Sequence, residues 1–330
     1  MKQHKKVNYA KYGYLFCIPF TVAFLIFSFY PICYTVVIGF TNMKGLICPD
    51  VHILTDDLFK NFKDALSSNS FQTAFKNTWG LWIVNFVPQI TLALLLTAWF
   101  TDTRMKIKGQ GFFKVVFYLP NIITAATIAI LFAAFFQYPT GPVNDIFKTM
   151  GWSEKSIYFL QNKTTARGIV AFIQFWMWYG YTMVVLTSGV LGISPDIFEA
   201  AEVDGANRIQ TFFRITIPNI KTILLFTLVT SLIGGLQMFD IPYLFIVKSG
   251  PDNATLTTSV YIYNQAFSGS YLYNRAAAAS MVMFVIICAC SAVMFFLLRD
   301  PEEAKLNKLI RQQEKEYRKK LKAQAKEVDA

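Results

Sequence analysis

Charge is scarce in this chain: 15% of its 330 residues are Asp, Glu, Lys or Arg, against 54% hydrophobic. Soluble domains hold about a quarter charged residues, so an ordinary water-soluble fold is excluded. Histidine is nearly missing. His4 and His52 stand alone, neither beside a carboxylate pair, which leaves metalloprotease, haem and zinc chemistry without ligands. No G-x-x-x-x-G-K-S/T loop is present to cradle nucleotide phosphates, so the chain is not expected to hydrolyse ATP. No serine sits in a nucleophile elbow. Cys17, Cys33, Cys288 and Cys290 fall in apolar stretches and Cys48 is isolated, so neither a disulfide nor a metal site is indicated. The alternating pattern of a membrane barrel is also missing.

What remains is apolar sequence in long blocks. A helix needs about 20 mostly apolar residues to cross the hydrocarbon, and stretches near 13–40, 79–101, 113–137, 168–193, 219–245 and 276–298 qualify. Backbone polar groups in lipid must bond internally, so an all-α integral membrane fold with six transmembrane helices is expected over 13–298. The first stretch follows lysines as a signal peptide does, but it is too long and lacks a small-residue cleavage site, so it is read as the first span. The spans lack paired ionisable residues, with Asp240 alone near the end of the fifth, which disfavours a proton-driven transporter.

Lysine and arginine are segregated, and short basic segments stay in the cytoplasm. Lys2, Lys5, Lys6 and Lys11 precede the first span; Arg104, Lys106, Lys108 and Lys114 follow the second; Arg208, Arg214 and Lys221 follow the fourth. Both termini, residues 1–12 and the basic tail 299–330, are therefore expected in the cytoplasm. This topology explains the net charge of +11 without nucleic acid. In the tail, Leu306, Leu309, Ile310, Tyr317 and Leu321 allow an amphipathic helix, read as a solvated or lipid-surface element.

A polar insert, residues 194–218, interrupts the apolar pattern between the fourth and fifth spans. Ser194, Pro195 and Asp196 form a helix start: a side-chain cap, a proline at the first position and a carboxylate at the positive end of the dipole. Gly205 is a natural stop. Ile197, Ala200, Ala201 and Asp204 share one mostly small face suited to close approach by a partner, while Glu199 and Glu202 lie elsewhere, available to basic groups. A second short helix near 207–216 carries Ile209, Phe212 and Phe213 as an apolar stripe expected to pack under the membrane helices.

The spacing Glu199-Ala200-Ala201, Gly205, Ile215, Ile217-Pro218 resembles the EAA loop of bacterial ATP-binding-cassette importer permeases. Further segments resemble the sugar-importing branch of that family: Lys60-Asn61-Phe62 through Asn77-Thr78, Tyr118-Leu119-Pro120-Asn121, Gly141-Pro142-Val143-Asn144, Phe239 to Tyr243, Gly250-Pro251 and Tyr261-Ile262-Tyr263. Ser249 replaces a usual glycine, Arg275 a usual small residue and Ile217 a usual leucine. The resemblance implies the type I importer permease fold and, for Glu199, Ala200, Ala201, Asp204, Gly205, Arg208 and Pro218, docking on an ATPase. It also implies the partners: a second permease, read as a heteromeric pair, two ATPase subunits that bind ATP and Mg, and an extracytoplasmic sugar-binding protein. No cofactor is expected on this chain.

A sugar site needs aromatic faces for stacking, with amides and hydroxyls to replace water. Gln174, Trp178 and Tyr181 fall at i, i+4 and i+7 on one face of the fourth span, with Met177 beside them; the fifth span offers Ser231, Gly234, Gly235, Gln237 and Met238. The resemblance places the transported ligand against these two helices. An aromatic stripe also serves packing, and Trp176 with Trp178 fits that description as well. The alternatives are a permease of the same architecture for another solute, or a membrane scaffold or enzyme. A polyamine site calls for acidic spans and a phosphate site for basic ones, and the spans offer neither.

Overall fold

The computed structural model describes residues 10–102, 104–105, 107–246, 249–298 and 309–317. Among them the only β pairing is one isolated bridge between Thr41 and Ile53. Five helices are long and apolar enough to cross a membrane: Lys11–Gly39, Asn69–Thr101, Lys163–Leu191, Lys221–Leu244 and Tyr273–Leu298. The stretch expected near 113–137 is not one helix. It forms Gln110–Ile122 and Ala125–Phe135, bent by 92°, and counted as one broken span it makes the sixth. The cause is local. Pro120 lies in the first piece, Ile123 is extended, and Thr124 restarts the helix by accepting the Thr127 backbone N–H at 3.3 Å.

Proline shapes two further helices in the same way. Pro31 cannot donate to the preceding turn and its ring crowds a carbonyl there, and the chain answers with a π turn at Leu25–Phe29 closed by Tyr30 N–H on the Leu25 carbonyl. Pro218 is preceded identically by a π turn at Phe212–Thr216, closed by Ile217 N–H on the Phe212 carbonyl.

The chain divides into two compact units, residues 1–77 with 256–286, and residues 78–255 with 287–330. In the first, Asn61 is 3% exposed and donates to the carbonyls of Gly39 at 3.0 Å and Thr41 at 2.8 Å, while accepting from Asn274 at 2.9 Å. Arg275, the departure from the family pattern, meets Asp64 at 2.9 Å in the same unit. The usual small residue is thus replaced by an ion pair. In the second unit, Ile128, Phe132, Val170, Ile173, Met177 and Ile241 form one buried cluster, and Ala93, Met183, Leu186, Val190 and Ile220 another. In lipid such contacts stabilise through close packing rather than water exclusion. Asn121 donates to the Met177 carbonyl at 3.2 Å and Asn144 to that of Ile157 at 3.1 Å. The asparagines of the family-like segments are therefore staples for backbone carbonyls in the interior.

Lys2, Lys5, Lys6, Lys106, Arg299, Leu306 and Leu321 lie outside the described residues. Residues 309–317 are helical, with Leu309, Ile310 and Tyr317 exposed.

Candidate functional site

The polar insert folds as two helical pieces. Pro195–Val203 begins with proline in its first turn and Asp196 at its positive end. Ser194 holds the cap position, but its hydroxyl goes to the Asp196 carboxylate at 3.2 Å and no side-chain cap bond forms. The hydroxyl is thus turned to donate to the carboxylate instead of accepting a backbone N–H of the first turn. The helix ends in a Schellman motif: Gly205 N–H reaches the Glu202 carbonyl at 3.1 Å and Ala206 N–H the Ala201 carbonyl at 2.9 Å. Gly205 sits at φ 77°, a left-handed conformation that other residues adopt only with strain. Asn207 and Gln210 then cap Arg208–Thr211 reciprocally. That capping box was legible as N-x-x-Q but is easily overlooked beside the stronger cues.

Glu199, Ala200, Asp204, Gly205, Arg208 and Pro218 are exposed, whereas Ala201 is buried within the chain. The small face is thereby split, with Ala201 turned inward. Two ion pairs tie the insert to the connection after the second span: Arg104 to Glu202 at 3.3 Å and Arg208 to Asp102 at 3.0 Å. Glu202 therefore has its basic partner within the chain. The expectation that the second piece tucks its apolar stripe under the membrane helices fails for two residues, since Ile209 is 70% and Phe213 65% exposed. Ile209, Phe212 and Phe213 instead line an open cavity with Trp99, Met105 and Phe198.

At mid-span in the same unit lies a second cavity, of about 250 Å³. The fourth span contributes Gln174, Trp178, Tyr181 and Thr182; the fifth contributes Thr227, Thr230, Ser231, Gly234, Gly235 and Met238; the second adds Asn85 and Gln89. Seven of the nine residues expected at a solute site, Gln174, Trp178, Tyr181, Ser231, Gly234, Gly235 and Met238, thus surround one space. Two do not. Met177 is buried in the apolar cluster, because the lining arc runs from Tyr181 through Gln174 and Trp178 to Thr182, and Met177 lies beyond its edge. Gln237 is exposed outside the lining, since the helix ends at Leu236 and Gln237 is its C-cap.

Asn85 and Gln89, at i and i+4 in an apolar helix, were readable as paired amides on one face and were missed, as were Thr182, Thr227 and Thr230. The wall sets polar side chains in a mostly apolar surface, with no charged residue among the described lining residues. Trp178 and Tyr181 meet edge to face with centroids 6.0 Å apart, presenting a half-exposed indole face to the space. Gly235 serves packing as well: a Cβ there would stand 1.9 Å from Trp82 Cδ1. At the far end of the fourth span, Asn162 caps the helix through Thr164 N–H at 2.8 Å. Beside it, the hydrogen bond from Lys163 holds the Asp252 carboxyl below its ordinary range.

Residues 78–300 match the family described as binding-protein-dependent transport system inner membrane component. The chain is 31% identical to the lactose transport system permease protein LacF of Rhizobium radiobacter, over 91% of this chain and 97% of that one. It is 28% identical to the arabinooligosaccharides transport system permease protein AraP of Bacillus subtilis, over 85% and 86%. Among solved structures, a chain of a bacterial alginate ABC transporter in complex with alginate pentasaccharide-bound periplasmic protein superposes with a TM-score of 0.76 at 25% identity, covering 91% of this chain and 98% of that one. Fold, spans and comparisons agree: this chain is a multi-pass permease subunit of an ABC importer, a transport subunit and not an enzyme, and it belongs to the binding-protein-dependent transport system inner membrane component family.

Proposed function

We propose that the chain forms half of the translocation path for a neutral sugar or oligosaccharide in a bacterial cytoplasmic membrane. The observation that carries this reading is the cavity wall: two aromatic rings, three amides and four hydroxyl-bearing Thr and Ser residues, with no charged side chain among the described lining residues. Neutral polyhydroxylated solutes need such a mixture, whereas phosphate or a polyamine calls for charge. The names of the lactose and arabinooligosaccharide relatives support the same class. The volume lies slightly below the range of about 300–1,000 Å³ usual for ligand sites, which suits a half-site completed by a second, non-identical permease.

In this reading an external binding protein delivers the sugar, and two ATPase subunits, holding ATP and Mg, grip Glu199, Ala200, Asp204, Gly205 and Pro218 from the cytoplasm, the side on which both termini also lie. Ala201 stiffens the loop helix from within. Closure of the ATPase pair moves that helix as a rigid lever, and the spans rock between outward-facing and inward-facing states. Such coupling requires the loop to bind the two ATPase states differently.

The test is uptake by the assembled complex, in proteoliposomes, of labelled neutral disaccharide and of a labelled sugar acid. Uptake of the neutral sugar is expected, with Gln174→Ala and Trp178→Ala each lowering it about tenfold as hydrogen-bonding and stacking partners disappear. Preference for the charged sugar, or unchanged uptake in both variants, contradicts the proposal.

A further inference from the structure

The loop between the fourth and fifth spans does not stand by itself. Asp102, at the cytoplasmic end of the second span, is 15% exposed in its side chain and receives Arg208 Nε at 3.0 Å together with Arg104 N–H at 2.9 Å. Arg104 in turn reaches across to Glu202 at 3.3 Å and to the Ala206 carbonyl at 2.9 Å. The two pairs are crossed: an acid of the connection takes a base of the loop, and a base of the connection takes an acid of the loop. Arg104 also sits on the last turn of the loop helix, where its cation meets the negative end of the helix dipole and an otherwise unmatched carbonyl. Arg208 extends the same clamp by contacting the Met105 sulfur at 3.2 Å.

The helix that ends at Thr101 is the one that carries Asn85 and Gln89 to the solute cavity. Between Gln89 and the clamp it is a continuous helix without proline, and a rigid rod transmits displacement of its end to its middle; Pro88 lies just beyond, between Gln89 and Asn85. From this geometry we infer that Asp102 and Arg104 are positioning residues for transport: they fasten the loop helix to the second span, so that movement imposed on the loop is delivered directly to Gln89 and, across Pro88, to Asn85. The fourth and fifth spans receive the same movement through their covalent connection to the loop. The second span has no such connection, and the crossed ion pairs supply one. The inference rests on the proposed coupling role of the loop and adds two residues outside it.

The experiment uses the complete complex in proteoliposomes and reads two quantities together, ATP hydrolysed and labelled neutral disaccharide taken up. Asp102→Asn and Arg104→Gln are each expected to keep the ATPase subunits bound while lowering uptake per ATP about five- to tenfold, the size usual for mutations in a coupling network. Asp102→Glu is expected to retain most of the coupling. The exchange Arg104→Glu with Glu202→Arg is expected to recover it relative to Arg104→Glu alone, because the two residues act as a pair, and the fall in uptake per ATP with the ATPase still bound is what a merely structural role does not produce. Unchanged uptake per ATP in Asp102→Asn and Arg104→Gln overturns the clamp, as does failure of the exchange to rescue. Deletion of Glu199 to Gly205 separates the two levels. If it releases the ATPase while the ion-pair variants stay fully coupled, the loop reading stands and the clamp falls. If the deleted complex keeps its ATPase, both fall.

Discussion

Gln89 on the second span donates its side-chain amide to the Thr182 hydroxyl on the fourth, 2.9 Å away, and both residues line the uncharged cavity. The Thr182 hydroxyl in turn donates to the Trp178 carbonyl at 3.1 Å. A relay of two hydrogen bonds thus ties the amide of one helix to the backbone that carries the aromatic wall. In lipid no water replaces a lost partner, so each bond has a defined structural cost.

Removing the middle of that relay leaves a buried amide without its acceptor. Thr182→Val is expected to destabilise the chain by about 1–3 kcal/mol and to weaken uptake, while Thr182→Ser keeps both near the parent. Thermal unfolding in detergent, followed beside uptake in proteoliposomes, checks the pair. Equal behaviour of the Val and Ser variants would count against the relay.

Gly235 is required where the fifth span meets the indole of Trp82, since an added Cβ would stand 1.9 Å from Cδ1. Gly235→Ala is expected to cost about 1–3 kcal/mol through overpacking. Trp82→Leu in the same chain should recover much of that loss. Gly234, whose Cβ would meet open space, provides the control, and Gly234→Ala is expected to leave the melting temperature nearly unchanged. The melting temperatures of these variants decide the matter, and a failed rescue would place the strain elsewhere.

Ser249 adopts φ 61°, a left-handed conformation at the position where the resembling family usually has glycine. Its hydroxyl-bearing Cβ carries steric strain that glycine lacks. Ser249→Gly is therefore expected to raise stability by about 1 kcal/mol, read as a higher melting temperature, with uptake unchanged. A lower melting temperature would show that the serine side chain holds the turn.

The features most legible in the sequence are those that depend on helical period alone. Gln174, Trp178 and Tyr181 fall on one face by simple spacing, and the helix places them on one cavity. Gly205 as the end of the loop helix also follows from local chemistry, and the Schellman bonds at Glu202 and Ala201 supply its geometry. Local breaks in period were the first source of error. Gln237 lies past a helix end, and the 113–137 stretch bends at Ile123. Each break follows from a proline or a cap, so its sign was present in the sequence even where its effect was not. Long-range pairing was the second. Nothing in the local pattern of Asp102 or Arg104 announces that their partners lie about a hundred residues later, and the amides of the second span join the site only once three helices are brought together.

On the proposed function, this permease moves solute only when a separate ATPase drives the Glu199 to Pro218 loop. Gly205→Val tests it most directly, because a β-branched residue at φ 77° strains the turn at a cost of about 1–3 kcal/mol while leaving every span intact. The measurement is ATP-dependent uptake of labelled neutral disaccharide by proteoliposomes holding the complete complex, with its binding protein outside. Uptake by the parent is expected only when ATP is present, and the Gly205→Val complex is expected to insert normally and still hydrolyse ATP while its uptake falls about tenfold. Normal uptake by Gly205→Val, or uptake by the parent without ATP, would contradict it.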